Sequence, residues 1–119
     1  MLLVEDELMV REVAAMMLRQ LGYAVIPAGD GLEAVELFRR HQGEIVCVLC
    51  DVNMPRLDGW QTLEALRQLA PGIPVVLASG YSEAEVMAGD HPQKPQAFLS
   101  KPYGFETLKK VIHRSLAQI

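Results

Sequence analysis

Asp51 closes the most apolar run of the chain, Ile45-Val46-Cys47-Val48-Leu49-Cys50, and precedes Val52-Asn53-Met54-Pro55-Arg56-Leu57-Asp58-Gly59. A carboxylate at the end of a buried strand, ahead of a turn marked by proline and glycine, is costly for folding alone. Such a position is explained by a metal, a reaction or both. Four other groups fit the same chemistry: Glu5, Asp6, the hydroxyl of Ser79 and the ammonium of Lys101. Three carboxylates brought together repel one another and raise at least one pKa. A hard divalent cation relieves that crowding, and an all-oxygen donor set suits magnesium, which keeps several of its waters. One oxygen of Asp51 is then free to attack a phosphoryl group. Catalysis of phosphoryl transfer is mostly positioning and charge stabilisation. The metal takes one phosphoryl oxygen, Lys101 a second and the Ser79 hydroxyl a third.

The elements that must bring these groups together alternate from end to end. Leu2-Leu3-Val4 reads as a short strand. Val10, Val13, Ala14, Met17 and Leu21 recur at helical spacing, and Gly22 suits the helix stop. Tyr23 to Pro27 is a second strand. Asp30 and Glu33 form a cap-like pair for a helix burying Leu32, Val35 and Phe38. Ile45 to Cys50 is the third strand, and Trp60, Leu63, Leu66 and Ala70 mark the third helix. Pro74 to Ala78 is the fourth strand. Ser82 with Glu85 is a capping box for a short fourth helix, and Gly89 to Gln96 is irregular. Ala97 to Ser100 is the fifth strand, followed by a helix with an inner stripe of Phe105, Leu108, Ile112, Leu116 and Ile119. Five strands separated by helices imply an α/β fold with a parallel sheet covered on both faces. Ligands in such folds bind outside the carboxyl ends of the strands. Glu5-Asp6, Asp51, Ser79-Gly80 and Lys101-Pro102 all fall at those ends.

Composition limits the alternatives. One domain over residues 1–119 is expected, with 50% hydrophobic and 22% charged residues. The mean hydropathy of +0.16 suits strands buried on both faces. No apolar run approaches the roughly 18 residues of a membrane span, and no secretory signal pattern is present. The expected location is the cytoplasm, with no direct membrane contact. A net charge of −4 argues against this domain gripping nucleic acid. Cys47 and Cys50 have redox-like spacing. In a strand, however, positions i and i+3 face opposite sides, and no second pair completes a zinc site. They read as buried free thiols in a reducing compartment.

The four pieces Leu3-Val4-Glu5-Asp6, Asp51-Val52-Asn53-Met54-Pro55 with Gly59, Ala78-Ser79-Gly80, and Lys101-Pro102 stand in order at strand ends. On them the whole chain resembles the receiver domain of two-component response regulators. A chemotaxis member of that family is a standing example of the flavodoxin-like fold, so the resemblance implies (βα)5 with strand order 2-1-3-4-5. It also implies an aspartyl phosphate on Asp51, made by transfer from a phosphohistidine. The partner is a histidine kinase or a histidine phosphotransfer domain. Mg2+ is then held by Asp6 and Asp51 side chains, by Glu5 through water and by the backbone carbonyl of Asn53. Ser79 is the switch hydroxyl, Phe98 the aromatic switch position and Lys101 the phosphate-binding lysine. Asn53 and Tyr81 tune phosphate lifetime, with the bulk of Tyr81 expected to hinder the attacking water. The family switches through a local charge event read out by a bistable surface. Its usual meeting face is the fourth helix, fifth strand and fifth helix; a homodimer is a separate expectation, with no face assigned to it.

Departures are small. Glu5-Asp6 replaces a pair of aspartates, Ser79 replaces threonine, and Phe98 carries no hydroxyl. Asp6 also suits a helix cap, Glu7 suits a helix N-terminus through the dipole, and Asp58 before Gly59 suits a turn. Phe98 equally suits a plain core aromatic. Trp60 is expected to be partly exposed near Asp51. His41, His91 and His113 share no metal spacing, and the methionines read as core or edge filler. An aspartate-nucleophile phosphatase is a rival, but the acid it needs two residues beyond the nucleophile is here Asn53. A degenerate receiver serving only as an interaction module is the second rival, opposed by the full set Glu5, Asp6, Asp51, Ser79 and Lys101. Ala78-Ser79-Gly80-Tyr81 and Phe98-Leu99-Ser100-Lys101-Pro102-Tyr103 resemble receivers attached to hybrid sensor histidine kinases. An excised hybrid-kinase receiver is therefore the expected context, and a stand-alone regulator the alternative.

Overall fold

The computed structural model describes residues 1–117. Strands and helices alternate as β1 (Leu2–Val4), α1 (Leu8–Gln20), β2 (Ile26–Ala28), α2 (Gly31–Arg40), β3 (Val48–Asp51), α3 (Gly59–Leu69), β4 (Val75–Ser79), α4 (Glu83–Met87), β5 (Ala97–Ser100) and α5 (Phe105–Ala117). The sheet is parallel throughout, in the order β2-β1-β3-β4-β5. The direction of winding reverses between β1 and β3, so the strand-end crevice opens between them. This is the flavodoxin-like arrangement expected from the sequence.

The period of two along each strand divides the core. Leu2, Val4, Val48, Cys50, Val75 and Leu77 face Ala34, Phe38, Leu63, Leu66 and Val86 of α2, α3 and α4. Leu3, Cys47, Leu49, Val76, Ala78 and Leu99 face Ala14, Ala15, Leu18, Leu108 and Ile112 of α1 and α5. Cys47 and Cys50 therefore lie on opposite faces, both as buried free thiols. Burial pushes the Cys47 thiol up to about 11 and that of Cys50 higher still.

Local chemistry fixes the helix starts that matter for the strand-end crevice. Asp30 caps α2 by accepting the Glu33 N–H at 2.8 Å, while the Glu33 carboxylate accepts the Gly29 N–H. Asp58 caps α3 in a full capping box with Gln61. The Gly59 N–H donates to the Val52 carbonyl at 2.8 Å. A Cβ on Gly59 would come within 2.6 Å of the Asp51 carbonyl, so only glycine lets α3 begin against the end of β3.

Several boundaries and faces differ from the sequence expectation. β2 starts at Ile26 rather than Tyr23, and β3 starts at Val48 rather than Ile45. β4 runs one residue past Ala78 to include Ser79. Val13 and Leu32, expected inside, are 55% and 50% exposed. Met9 and Met16 lie at the surface rather than filling the core. Asp58 is a helix cap rather than a plain turn residue. The Ser82 hydroxyl accepts the Glu85 N–H, but the return bond runs from that hydroxyl to the Glu85 carboxylate rather than to backbone. Ile119 lies outside the described residues.

Candidate functional site

The carboxyl ends of β1, β3 and β5 bring four charged groups together. Glu5, Asp6 and Asp51 each place a carboxylate oxygen within 4.8 Å of the others. Asp51 and Glu5 are buried, whereas Asp6 is exposed. Lys101, just beyond β5, donates from Nζ to Glu5 Oε1 at 2.6 Å, and Nζ lies 3.0 Å from Asp51 Oδ1. The second oxygen of Glu5 accepts the Glu7 N–H at 3.2 Å. Glu5 is assigned to a metal through water by resemblance, yet both of its oxygens already have protein partners.

Burial dominates the electrostatics. It raises the Asp51 carboxyl above the ordinary range, with Lys101 offsetting part of the rise and the charge of Asp6 adding to it. Burial likewise raises Glu5, again offset by Lys101 and reinforced by Asp51. Burial alone would lower Lys101, but its bonds to Glu5 and Asp51 outweigh this and leave it raised. The ammonium is thus a fixed cation aimed at the nucleophile candidate. Tyr103, beside it, is pushed up to about 12, chiefly by burial.

Ser79 ends β4 next to the cluster but does not join it. Its hydroxyl oxygen accepts the Tyr81 N–H at 3.1 Å and the Asn53 side-chain amide at 3.5 Å. Asn53 itself is exposed. Tyr81 is 60% exposed and shares a cavity of about 340 Å³ with Asn53, Trp60 and His91. Phe98 is half-buried on β5 opposite Leu77, packed against the core that contains Val86. The geometry therefore gathers Glu5, Asp6, Asp51 and Lys101, keeps Ser79 one step away, and sets Phe98 on the neighbouring strand. Trp60 is half-buried in the first turn of α3.

Other contributors carry weaker sequence signals. Arg11 Nη1 donates to the Glu5 carbonyl at 2.8 Å and braces the end of β1. The Asp58-x-x-Gln61 spacing before an apolar run is a capping-box signal that the turn reading of Asp58 passed over. Stacking of Trp60 on His91 joins residues 31 positions apart and has no local signature.

The donors suit a hard cation: three carboxylates, all oxygen, two of them buried and raised. The sequence matches the response regulator receiver domain family over residues 1–113. The chain belongs to that family. It is a receiver domain of the two-component type. It is 37% identical over 116 residues to the sensor kinase CckA of Brucella abortus (strain 2308), covering 97% of this chain but only 12% of that protein. It is 33% identical to the transcriptional regulatory protein ZraR of Escherichia coli (strain K12), covering 98% of this chain and 26% of that one. The receiver thus spans a small fraction of these longer relatives. Among solved structures, the receiver domain of the hybrid histidine kinase CckA superposes with a TM-score of 0.80 at 36% identity, over 97% of this chain and 96% of that one.

Proposed function

We propose that this receiver accepts a phosphoryl group from a phosphohistidine onto Asp51, in the presence of Mg2+, and that the modified site alters a protein-binding surface. The observation that carries the reading is Asp51 itself. It is buried at the end of β3, grouped with Glu5 and Asp6, with the Lys101 ammonium 3.0 Å away. An oxygen of Asp51 attacks phosphorus; the new P–O bond forms as the P–N bond breaks, and its electron pair returns to the donor imidazole. Lys101 holds one phosphoryl oxygen and stabilises charge as it develops. Ser79, once turned from Asn53 and Tyr81, donates its hydroxyl to another. The Asp6 and Asp51 side chains and the Asn53 carbonyl would hold the cation, with Glu5 positioning Lys101 or a bound water. Magnesium, when bound, neutralises the crowded carboxylates and the incoming phosphoryl oxygens.

The donor must bring its phosphohistidine against Asp51, so it has to seat on the surface around the strand ends. Leu8, Met9, Val13 and Met16 give α1 an exposed apolar face there, and Met9 and Val13 share a cavity of about 320 Å³ with Lys101 and Tyr103. A histidine kinase or phosphotransfer domain is the proposed partner. Similarity to CckA favours a hybrid sensor kinase as the parent protein, with the receiver on the cytoplasmic side. No helix among the described residues is long and apolar enough to cross a membrane.

Beryllofluoride, which mimics a phosphoryl group on a carboxylate, tests the reading. Fluorine NMR should show a bound signal only with magnesium, and Asp51→Asn should abolish it. Binding that survives Asp51→Asn, or that needs no magnesium, would sink the assignment.

A further inference from the structure

The irregular segment 88–96 is held to α3 at two points that the phosphoryl chemistry leaves unused. The His91 ring lies flat on Trp60, with centroids 3.6 Å apart and planes 4° from parallel. His91 Nε2 is 3.1 Å from the carbonyl of Ala88, the residue that ends α4. Further along α3, the buried Arg67 guanidinium donates to the Ile73 carbonyl at 2.9 Å, and to Gln93 and Gln96 side-chain oxygens at 3.2 and 2.6 Å. Gln96 also accepts the Val75 N–H at 2.7 Å, so this lower anchor is tied to the sheet.

The upper contact closes a circuit. Trp60 sits in the first turn of α3, which is pinned to the Asp51 strand end through Gly59 and Val52. His91 reaches back to the end of α4. The start of α4 follows Tyr81, whose N–H is held by the Ser79 hydroxyl. Asp51, α3, Trp60, His91, α4 and Ser79 thus form one continuous ring of contacts around the cavity lined by Asn53, Tyr81, Glu85 and Val86.

We infer that the Trp60–His91 stack is a latch, holding α4 in the arrangement in which Ser79 faces Asn53 and Tyr81. The inference rests on the proposed phosphorylation of Asp51. When the Ser79 hydroxyl turns toward a phosphoryl group, the Tyr81 N–H loses its acceptor and the loop into α4 must shift. Trp60 stays with α3, because its anchors lie on the phosphoacceptor strand, so the strain falls on the stack. A contact made in one state and weakened in the other biases the equilibrium by its own free energy. For one stacked pair that amounts to about two- to tenfold in population.

The test uses the intact receiver with beryllofluoride and magnesium as the probe. Binding is read by fluorine NMR, which does not depend on Trp60, the only tryptophan in the chain. Local order is read by amide hydrogen exchange across 83–96, and the stack by Trp60 fluorescence. In the wild type, the probe should change the emission and raise exchange in 83–96. His91→Ala should raise that exchange without the probe, remove the emission change and tighten beryllofluoride binding about two- to tenfold. His91→Phe, which keeps a flat ring, should return the affinity toward wild type. If the probe binds and His91→Ala leaves affinity and exchange unchanged, the latch is wrong while the phosphorylation reading stands. If the probe fails to bind the wild type, both fall.

Discussion

Lys101 bridges two buried carboxylates, and the consequences of that position are measurable one residue at a time. The folded pKa values of Asp51 and Glu5 are raised, chiefly by burial. The native state therefore binds protons more readily than the unfolded chain, and ionising these groups costs stability as pH rises. The cost is complete above the raised folded values and vanishes below the ordinary carboxylate range, near pH 4. Metal-free Asp51→Asn should thus be more stable than wild type once the native carboxyl is ionised, with the advantage shrinking on acidification. Denaturant melts at several pH values measure this directly. Lys101 has the opposite sign: its raised pKa contributes stability that is lost only as pH climbs through the folded lysine value. Lys101→Met leaves Glu5 and Asp51 without their cation and should cost about 1–2 kcal/mol, less than for a fully buried pair because the ammonium is partly solvated. It should slow phosphoryl transfer about 10²–10³-fold while magnesium binds at least as tightly, since a competing cation is gone. Calorimetric titration beside a transfer assay separates the two effects. Tyr81→Ala should speed loss of phosphate from Asp51 by opening the cavity shared with Asn53 to water. An unchanged dephosphorylation rate would end that role for Tyr81.

At the scale of elements, β1 and β5 were legible at both ends and every other strand end to within one residue, but the starts of β2 and β3 were not. β2 pairs only with β1, whose three residues match Ile26, Pro27 and Ala28, so Tyr23 to Val25 find no ladder despite their strand propensity. β3 begins where both of its neighbours begin, at Val48 opposite Leu2 and Val75. A strand's length is set by its partners, which a single segment does not reveal. Its end is marked by chemistry, and Asp51, Ser79 and Lys101 stand where the sequence put them. Helix faces were legible only where the helix is covered: Val13 and Leu32 obey the spacing but meet solvent. The Trp60–His91 and Arg67–Gln96 contacts had no local signal, because tertiary packing alone brings α3 and the 88–96 segment together. The contact between α3 and β3 makes a firm prediction at this scale. Gly59→Ala improves helix propensity by up to about 1 kcal/mol. It also forces a Cβ to within 2.7 Å of Val52 Cα as well as against the Asp51 carbonyl. Backbone on both sides has little room to yield, so a net loss of about 1–3 kcal/mol is expected in denaturant melts. A magnesium affinity reduced alongside would show that the start of α3 sets the Asp51 geometry.

The whole molecule keeps its acidic centre through the balance between Lys101 and the neighbouring carboxylates, and a bound cation shifts that balance. Magnesium at ten times its dissociation constant should add about 1.4 kcal/mol to the stability of the native domain. For a chain of this size that is a rise of about 3–8 °C in the melting midpoint, reversed by a chelator and absent in Asp51→Asn. Calcium, which prefers more ligands at longer distances, should stabilise less. The receiver assignment rests on the family match and the sheet order together. The phosphoacceptor reading rests on the convergence of four charged groups that the sheet brings together from positions far apart in the chain. The most direct test is the mass of the intact receiver after incubation with a small phosphoryl donor such as acetyl phosphate. One phosphoryl group should be gained in magnesium and none in chelator, with the label lost in Asp51→Asn and released by mild base as an acyl phosphate. A label that persists in Asp51→Asn, or forms equally without magnesium, would contradict Asp51 as the magnesium-dependent phosphoacceptor.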